Sequence, residues 1–328
     1  MTDLAPAADP LPSWNEGVAR GAILDFVDRV TREGGPHFVP PAERIAVFDN
    51  DGTLWCEMPI PVQGAFVGAR LKALAPEHPE WPSTEPFRSA LAGDRRSLAS
   101  QGIAGLEALV MATHAGMTTD AFEGIVQEWL GKAVHPALGV PYTRAVYQPM
   151  LELLQLLRDR GFATFIVSGG GVEFMRVFAE RTYGVPPQNV IGSTIRTHFE
   201  MRDGTPVLVR DPAVDVVDDK AGKPVSINRI IGRRPIAAFG NSDSDREMLL
   251  WTTEGRTDGH PSLGLLVHHT DGEREFRYDR EHVPSGHLER ALEEASSRHW
   301  VLADMKRDWR TVFPGPEADV HPVPMAAD

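Results

Sequence analysis

The chain has 328 residues, about twice a typical single domain, so it can bury a sizeable core as two domains or as one domain with a large insertion. Its 33 Lys and Arg stand against 46 Asp and Glu, and the net charge of -13 repels nucleic acid and anionic lipid, with no basic run long enough to form a local patch. The one cysteine, Cys56, excludes an intramolecular disulfide; no apolar run nears the roughly 18 residues that span a bilayer, and no basic-then-apolar leader opens the chain, so the expectation is a soluble cytoplasmic protein.

Residues 1–18 read as a lead-in containing Pro and Ala. Ile23, Phe26, Val27 and Val30 then fall at helical spacing and predict a helix over 20–33, stopped by Gly34, Gly35 and Pro36. The apolar run 45–48 suits a buried strand that ends at once in polar residues and Gly. Residues 57–143 differ: helical patterns recur around Phe66, Leu71 and Leu74, around Leu106, Leu109, Val110 and Met111, and around Phe122, Ile125, Val126 and Trp129. Pro-rich stretches at 76–86 and 136–141 separate them, and no strand pattern appears, so this segment reads as a helical insert.

A strand and helix rhythm resumes beyond it. The patterns predict a helix at 150–160, a strand at 162–167 and a helix at 172–183. Strand-like pieces over 190–218 flank the turn Arg202-Asp203-Gly204, which predicts a hairpin. A short helix at 226–231, a strand at 235–239, a helix from 244, a strand at 263–267 and a helix at 286–298 follow. The tail 314–328, rich in Pro and Ala, is expected to be loose. The division that results is a discontinuous core of 20–56 and 144–313, an inserted helical unit of 57–143, and a tail.

Strands alternating with helices predict an α/β fold, a parallel sheet covered on both faces, whose ligand site lies beyond the C-terminal strand ends. Three strands end in polar or Gly-rich segments there: 49–53, 168–171 and 240–245. Asp49 and Asp51, two residues apart after a buried strand, would repel unless a divalent cation sat between them. The same pair can supply a nucleophile and a proton carrier. A plain polar turn also explains these residue types. Ser168 and the glycines after it lead into a helix, an arrangement that offers amide N–H groups to an anion; an ordinary glycine-rich loop looks the same. Lys223 suits a point charge at a phosphate site, although most lysines are solvated. Asn241, Asp243 and Asp245 suit either a cation site or the cap of the next helix.

In this order, strand with Asp49-Asn50-Asp51-Gly52-Thr53-Leu54, helical insert, strand with Ser168-Gly169, Lys223, then Gly240 to Asp245, the sequence resembles the haloacid dehalogenase-like superfamily over roughly residues 40–270. The resemblance is to its phosphoserine-phosphatase-like branch with a helical C1 cap. It implies a Rossmann-like core and a Mg2+-dependent phosphatase that hydrolyses a small phosphorylated metabolite. Asp49 would form an aspartyl-phosphate, and Asp51 would protonate the leaving oxygen and then activate water. Thr53 would orient Asp51. Ser168, the Gly169 amide and Lys223 would hold the phosphoryl oxygens, with Lys220 as the rival to Lys223. Asp49, the backbone carbonyl of Asp51, and Asn241 or Asp245 would bind magnesium, with Asp243 as a further candidate. The family has an aspartate where Asn241 stands, so one unit of negative charge is missing there. The insert would act as a lid, and Glu57 falls one residue from where relatives with amino-acid substrates place a carboxylate that meets the amine.

Other residues read as structural. Adjacent His268 and His269 on a strand would face opposite ways. His114 and His135 are isolated, Arg88, Arg95 and Arg96 suit a solvated helix face, and Cys56 suits packing. Trp300, Trp309 and Phe313 are expected to dock the C-terminal segment. Two competing functions stand beside the phosphatase: a phosphotransferase of the same fold, and a non-catalytic binding or regulatory protein, which Asn241 favours and the Asp49 and Asp51 pair opposes.

Overall fold

The computed structural model describes residues 8–280 and 286–315. The expected loose tail lies outside the described residues from 316 onward, as do the first seven residues of the lead-in. The elements run α1 (Val18–Thr31), β1 (Ile45–Phe48), α2 (Val62–Leu74), α3 (Phe87–Ala92), α4 (Arg95–Ser100), α5 (Gly102–His114), α6 (Thr119–Leu130) and α7 (Gln148–Asp159). Then come β2 (Ala163–Gly171), α8 (Val172–Tyr183), β3 (Val190–Arg202), β4 (Thr205–Val216), α9 (Gly222–Ile231), β5 (Ala237–Gly240) and α10 (Arg246–Thr253). The chain closes with β6 (Leu263–His268), α11 (Arg290–Ala295), β7 (Val301–Asp304) and α12 (Met305–Asp308).

Local chemistry explains several of these boundaries. Pro149 enters α7 in its first turn, where its missing N–H costs nothing. The Thr118 side chain accepts from the Ala121 amide and caps α6. Gly184, at φ 69°, ends α8 in the left-handed conformation that glycine adopts without strain.

Seven strands form one sheet in the order β4-β3-β2-β1-β5-β6-β7. All neighbours are parallel except β3 and β4, an antiparallel hairpin at one edge. β1 therefore lies in the middle, and its side chains alternate between two cores. Ala46 and Phe48 join Ile166, Phe239, Leu265 and Ala303 under α1, α7 and α8. Ile45 and Val47 join Val167, Ile191, Ala238 and Leu266 under α9, α10 and α11. Both faces are thus buried, which is why β1 reads as an unbroken apolar run.

The segment between β1 and β2 is helical, as its sequence pattern implies. A small cluster of its own gathers Val67, Leu71, Trp81 and Leu109. Phe66 and Phe122, however, belong to the large cluster under α8, and Phe66 meets Phe174 with ring centroids 5.3 Å apart. The segment also touches the edge hairpin, through a bridge between Thr118 and Val209 and a bond from the Gly116 amide to the Arg210 carbonyl at 2.8 Å.

The strand β7 escapes a reading by pattern, because four residues show no period and the helix expected before it is shorter, at Arg290–Ala295. Trp300 packs in the cluster under α10 and α11. Trp309 crosses Trp14 at 5.9 Å and Tyr147 at 5.3 Å, so the C-terminal segment is fastened to the chain's beginning and to the start of α7. No helix among the described residues is long and apolar enough to cross a membrane. Truncating the buried Trp309 to Ala is expected to cost about 3–5 kcal/mol in urea unfolding. Phe199→Ala, on the exposed part of the hairpin, is expected to change stability by about 0.5 kcal/mol or less.

Candidate active site

Strand register brings the three polar segments together. Phe48 is level with Ile166 of β2 and Phe239 of β5, and the Asp49 amide donates to the Phe239 carbonyl at 2.9 Å. Asp49 and Asn241 therefore leave the sheet at the edge toward which β2 carries Ser168, still paired with Gly192 of β3. Helix α9 begins four residues earlier than its apolar pattern suggests, so Lys223 sits in its first turn, fully buried. Its Nζ donates to Asp49 Oδ1 at 2.7 Å and to Asp245 Oδ1 at 2.6 Å. Lys220, the alternative lysine, lies exposed in the preceding turn. The other oxygen of Asp245 accepts from the amides of Asn241 and Ser242 at 3.0 and 3.1 Å and from the Ser242 hydroxyl at 3.1 Å. Asp245 thus caps its own turn and holds Lys223 at once. Asp243 takes neither role: it accepts from the amides of Glu289, Arg290 and Ala291 and caps α11.

The loop after β1 folds back on itself, with the amides of Thr53 and Leu54 on the Asn50 carbonyl. The Trp55 indole N–H donates to Asp51 Oδ1 at 2.7 Å. The Thr53 hydroxyl donates instead to Asn241 Oδ1 at 3.2 Å, so the group that fixes Asp51 by side-chain contact is Trp55, in place of the expected Thr53. Glu57, expected to face a substrate amine, is buried and accepts from Asn241 Nδ2 at 2.8 Å and from the Tyr278 hydroxyl at 2.9 Å. His269 Nε2 donates to the Gly52 carbonyl at 2.8 Å, and its Nδ1 lies 3.1 Å from Glu275 Oε2. His268, as its place on the strand predicts, faces elsewhere, toward Asp279. Cys56 donates to Glu275 Oε1 at 3.2 Å, and burial pushes its thiol far up, which keeps it unreactive.

Ser168 is buried, and its Oγ accepts from the Gly170 amide at 3.3 Å. Gly169 is exposed beside it. Gln63, in the first turn of α2, reaches this loop: its Oε1 accepts from the Gly171 amide at 2.7 Å and its Nε2 lies 3.3 Å from His114 Nε2. His114 is buried, and burial, helped by the charges of Arg210 and Arg70, lowers its pKa to about 3, so the neutral ring accepts from Gln63. Sequence reading missed Gln63, Tyr278 and His269, because each reaches the site from a distant segment and no local motif marks it; their burial inside a polar cluster is the signal that reveals them.

Electrostatically the site is short of positive charge. The Lys223 ammonium is shared by Asp49 and Asp245, and Asp51 feels both Lys223 and the carboxylate of Glu57. Burial raises Asp49 well above the usual carboxylate range, and Asp245 adds to this while Lys223 opposes it. Burial lifts Asp51 to about 6, with Glu57 adding to the rise and the Trp55 bond opposing it. Burial would lower Lys223, but Asp245 and Asp49 outweigh it and hold the ammonium protonated. Such a surplus of buried carboxylate fits a divalent cation. No group of three His, Cys, Asp or Glu among the described residues is arranged to hold a metal alone.

The His269 and Glu275 pair behind the site carries its own pH signature. Burial disfavours both charges, yet each partner outweighs it, raising His269 above 6.5 and lowering Glu275 below 4.5. The His269 contribution to stability is complete below 6.5 and is lost as pH rises through the higher folded value. That of Glu275 is present above 4.5 and is lost as pH falls through the lower folded value. The pair is therefore most stabilising between those limits, and His269→Gln is expected to flatten the decline in urea midpoint on the alkaline side.

Comparison with known proteins places this geometry. A conserved protein of Anaerococcus prevotii DSM 20548 is 17% identical with a TM-score of 0.50, over 82% of this chain and 95% of its own. A protein of Bordetella pertussis Tohama I is 16% identical with a TM-score of 0.49, over 80% of this chain and 99% of its own. A phosphoserine phosphohydrolase-like protein of Francisella tularensis subsp. tularensis SCHU S4 is 17% identical with a TM-score of 0.37, over 77% and 98%. The first likeness bears on the fold alone, and the two lower scores support no argument. No curated protein sequence matches the chain. The family model described as haloacid dehalogenase-like hydrolase matches residues 46–250, the span from β1 into α10 that carries Asp49, Ser168, Lys223 and Asn241, while His269 and Tyr278 lie beyond it. With more than half its length matched, the chain belongs to the haloacid dehalogenase-like hydrolase family.

Proposed function

We propose that the protein is a magnesium-dependent phosphatase acting on a small-molecule phosphate monoester. The observation that carries this reading is the buried Lys223 ammonium between Asp49 and Asp245, at the sheet edge where Ser168 also emerges. With a divalent cation among the carboxylates, the Lys223 ammonium beside the glycines at the end of β2 would give this edge the positive charge that a doubly charged phosphoryl group needs.

In this reading Asp49 Oδ attacks phosphorus, and the bond from phosphorus to the ester oxygen breaks as the new O–P bond forms. Asp51, protonated near its raised pKa and aimed by Trp55, gives its proton to the departing oxygen. Asp51 then takes a proton from water as that water attacks phosphorus. The Asp49 O–P bond breaks, inorganic phosphate leaves, and both carboxyl groups return to their starting states. Ser168, the Gly169 amide and Lys223 hold the phosphoryl oxygens. Asp49, the Asp51 carbonyl, Asn241 and Asp245 would hold magnesium, which would supply charge neutralisation. The helical insert 57–143 serves as the lid that excludes water, with Gln63 as its contact to Gly171 at the end of β2.

The direct test is hydrolysis of p-nitrophenyl phosphate with and without MgCl2. Asp49→Asn is expected to lower turnover by at least about 1000-fold with an unchanged circular dichroism spectrum. Asp51→Asn is expected to slow turnover by roughly 100-fold or more, as loss of a general acid and base does. A fully active Asp49→Asn variant rules out the assigned nucleophile, and inactivity of the wild type on a panel of phosphate esters with every divalent metal supports the non-catalytic reading that Asn241 favours.

A further inference from the structure

Beside the reacting carboxylates lies a polar contact that the proposed chemistry does not use. Glu57 is 1% exposed, and its Oε1 receives the Asn241 amide N–H at 2.8 Å and the Tyr278 hydroxyl at 2.9 Å. Two glycines make room for it. A Cβ on Gly52 would stand 2.0 Å from Asn241 Nδ2 and 2.3 Å from Glu57 Oε1, and one on Gly286 would also stand 2.3 Å from Glu57 Oε1. Gly52 has φ 73°, a conformation that side chains other than glycine's strain to reach. The backbone is thus kept bare on both sides of the contact.

The contact is directional. An ionised carboxylate accepts and cannot donate, so the NH2 of Asn241 must be the part that meets Glu57. The amide oxygen then points the other way, where it accepts from the Thr53 hydroxyl at 3.2 Å. An aspartate at 241 has no N–H to give, and two buried carboxylates would face each other across the same gap. An acid at 57 and a donor at 241 therefore require one another.

We propose that Glu57 is a positioning residue of the cation site: it fixes the Asn241 amide so that Oδ1 is presented to a hard divalent cation, and it carries the negative charge that Asn241 lacks. This rests on the magnesium phosphatase reading. The loop after β5 then supplies an amide and the segment after β1 supplies the carboxylate charge beside it. This pairing also explains why Glu57 is buried against protein groups.

The experiment is a double-mutant cycle with Asn241→Asp, Glu57→Gln and the two combined. Each protein is followed by thermal unfolding without metal and by calorimetric titration with MgCl2. Asn241→Asp alone is expected to lower the unfolding temperature by roughly 5 °C or more, because it leaves two buried acids unpaired. Glu57→Gln alone is expected to weaken magnesium binding about tenfold, the usual scale for losing a partner of a metal ligand. The combined variant is expected to recover both, since the amide introduced at position 57 can donate to the carboxylate introduced at position 241 and the charge is restored there. An additive cycle, an Asn241→Asp protein as stable as the wild type, or unchanged magnesium affinity in Glu57→Gln overturns the proposal. A wild type that binds magnesium and shows the coupling but hydrolyses no phosphate ester removes the phosphatase reading and leaves the pairing intact; an active wild type with an additive cycle does the reverse.

Discussion

One ammonium group ties together three segments that are far apart in sequence. Lys223 comes from the first turn of α9, Asp49 from the end of β1 and Asp245 from the turn after β5, and all three meet out of water. Burying these charges is costly, and only close pairing offsets the loss of hydration. The pairing also demands accurate backbone placement, which the sheet provides: parallel register sets Phe48 beside Phe239, so Asp49 and the 240–245 turn begin at the same height. Gly240 is part of that accuracy, because a Cβ there would stand 2.4 Å from the Asp245 Cβ. The sheet is in this sense the instrument that makes a high-energy charge cluster tolerable.

The cluster is not electrically balanced by protein groups, and that imbalance is the feature most relevant to function. A fully paired network would be inert and would gain nothing from a ligand. Here burial, with repulsion from Asp245 at Asp49 and from Glu57 at Asp51, holds both carboxyl groups above their usual range, an unfavourable burial that a nearby cation would relieve. The surroundings prevent a cheaper escape. Trp55 stacks on Phe178 at 4.5 Å while its N–H holds Asp51, and Phe66, Trp129 and Phe174 pack the helical insert against α8. Side chains that cannot swing away must keep the charges where they are.

Much of this was legible in the sequence, and for identifiable reasons. The Asp49 to Leu54 segment is read from six consecutive residues, and its strand from a run buried on both faces. The helical insert showed in three amphipathic patterns broken by prolines. The hairpin at 190–216 showed in its Asp203-Gly204 turn, where Asp203 adopts φ 50°. What stayed hidden depends on long-range approach. The family resemblance implied Thr53 as a partner of Asp51, but the loop's fold turns its hydroxyl to Asn241, 188 residues away. Tyr278 meets Glu57 across 221 residues, and His269 meets Gly52 across 217. β7 was too short to show any period. In each case the determining quantity is a three-dimensional distance that no local pattern encodes.

The substitution at 241 illustrates how such distances change the meaning of a residue. Read along the chain, Asn241 is a weakened acid, a site that has lost charge. Read in space, it is one half of a pair with Glu57, and its amide does what a carboxylate could not do next to another carboxylate. The same logic applies to Asp243 and Asp245, which look interchangeable in sequence. One serves the N-terminus of α11 and the other holds Lys223, because the turn directs alternate side chains to different neighbours. Charge count alone therefore misjudges this site in both directions. The quantity that matters is which donor each carboxylate meets: Lys223 serves Asp49 and Asp245, Trp55 serves Asp51, and the Asn241 amide and Tyr278 serve Glu57.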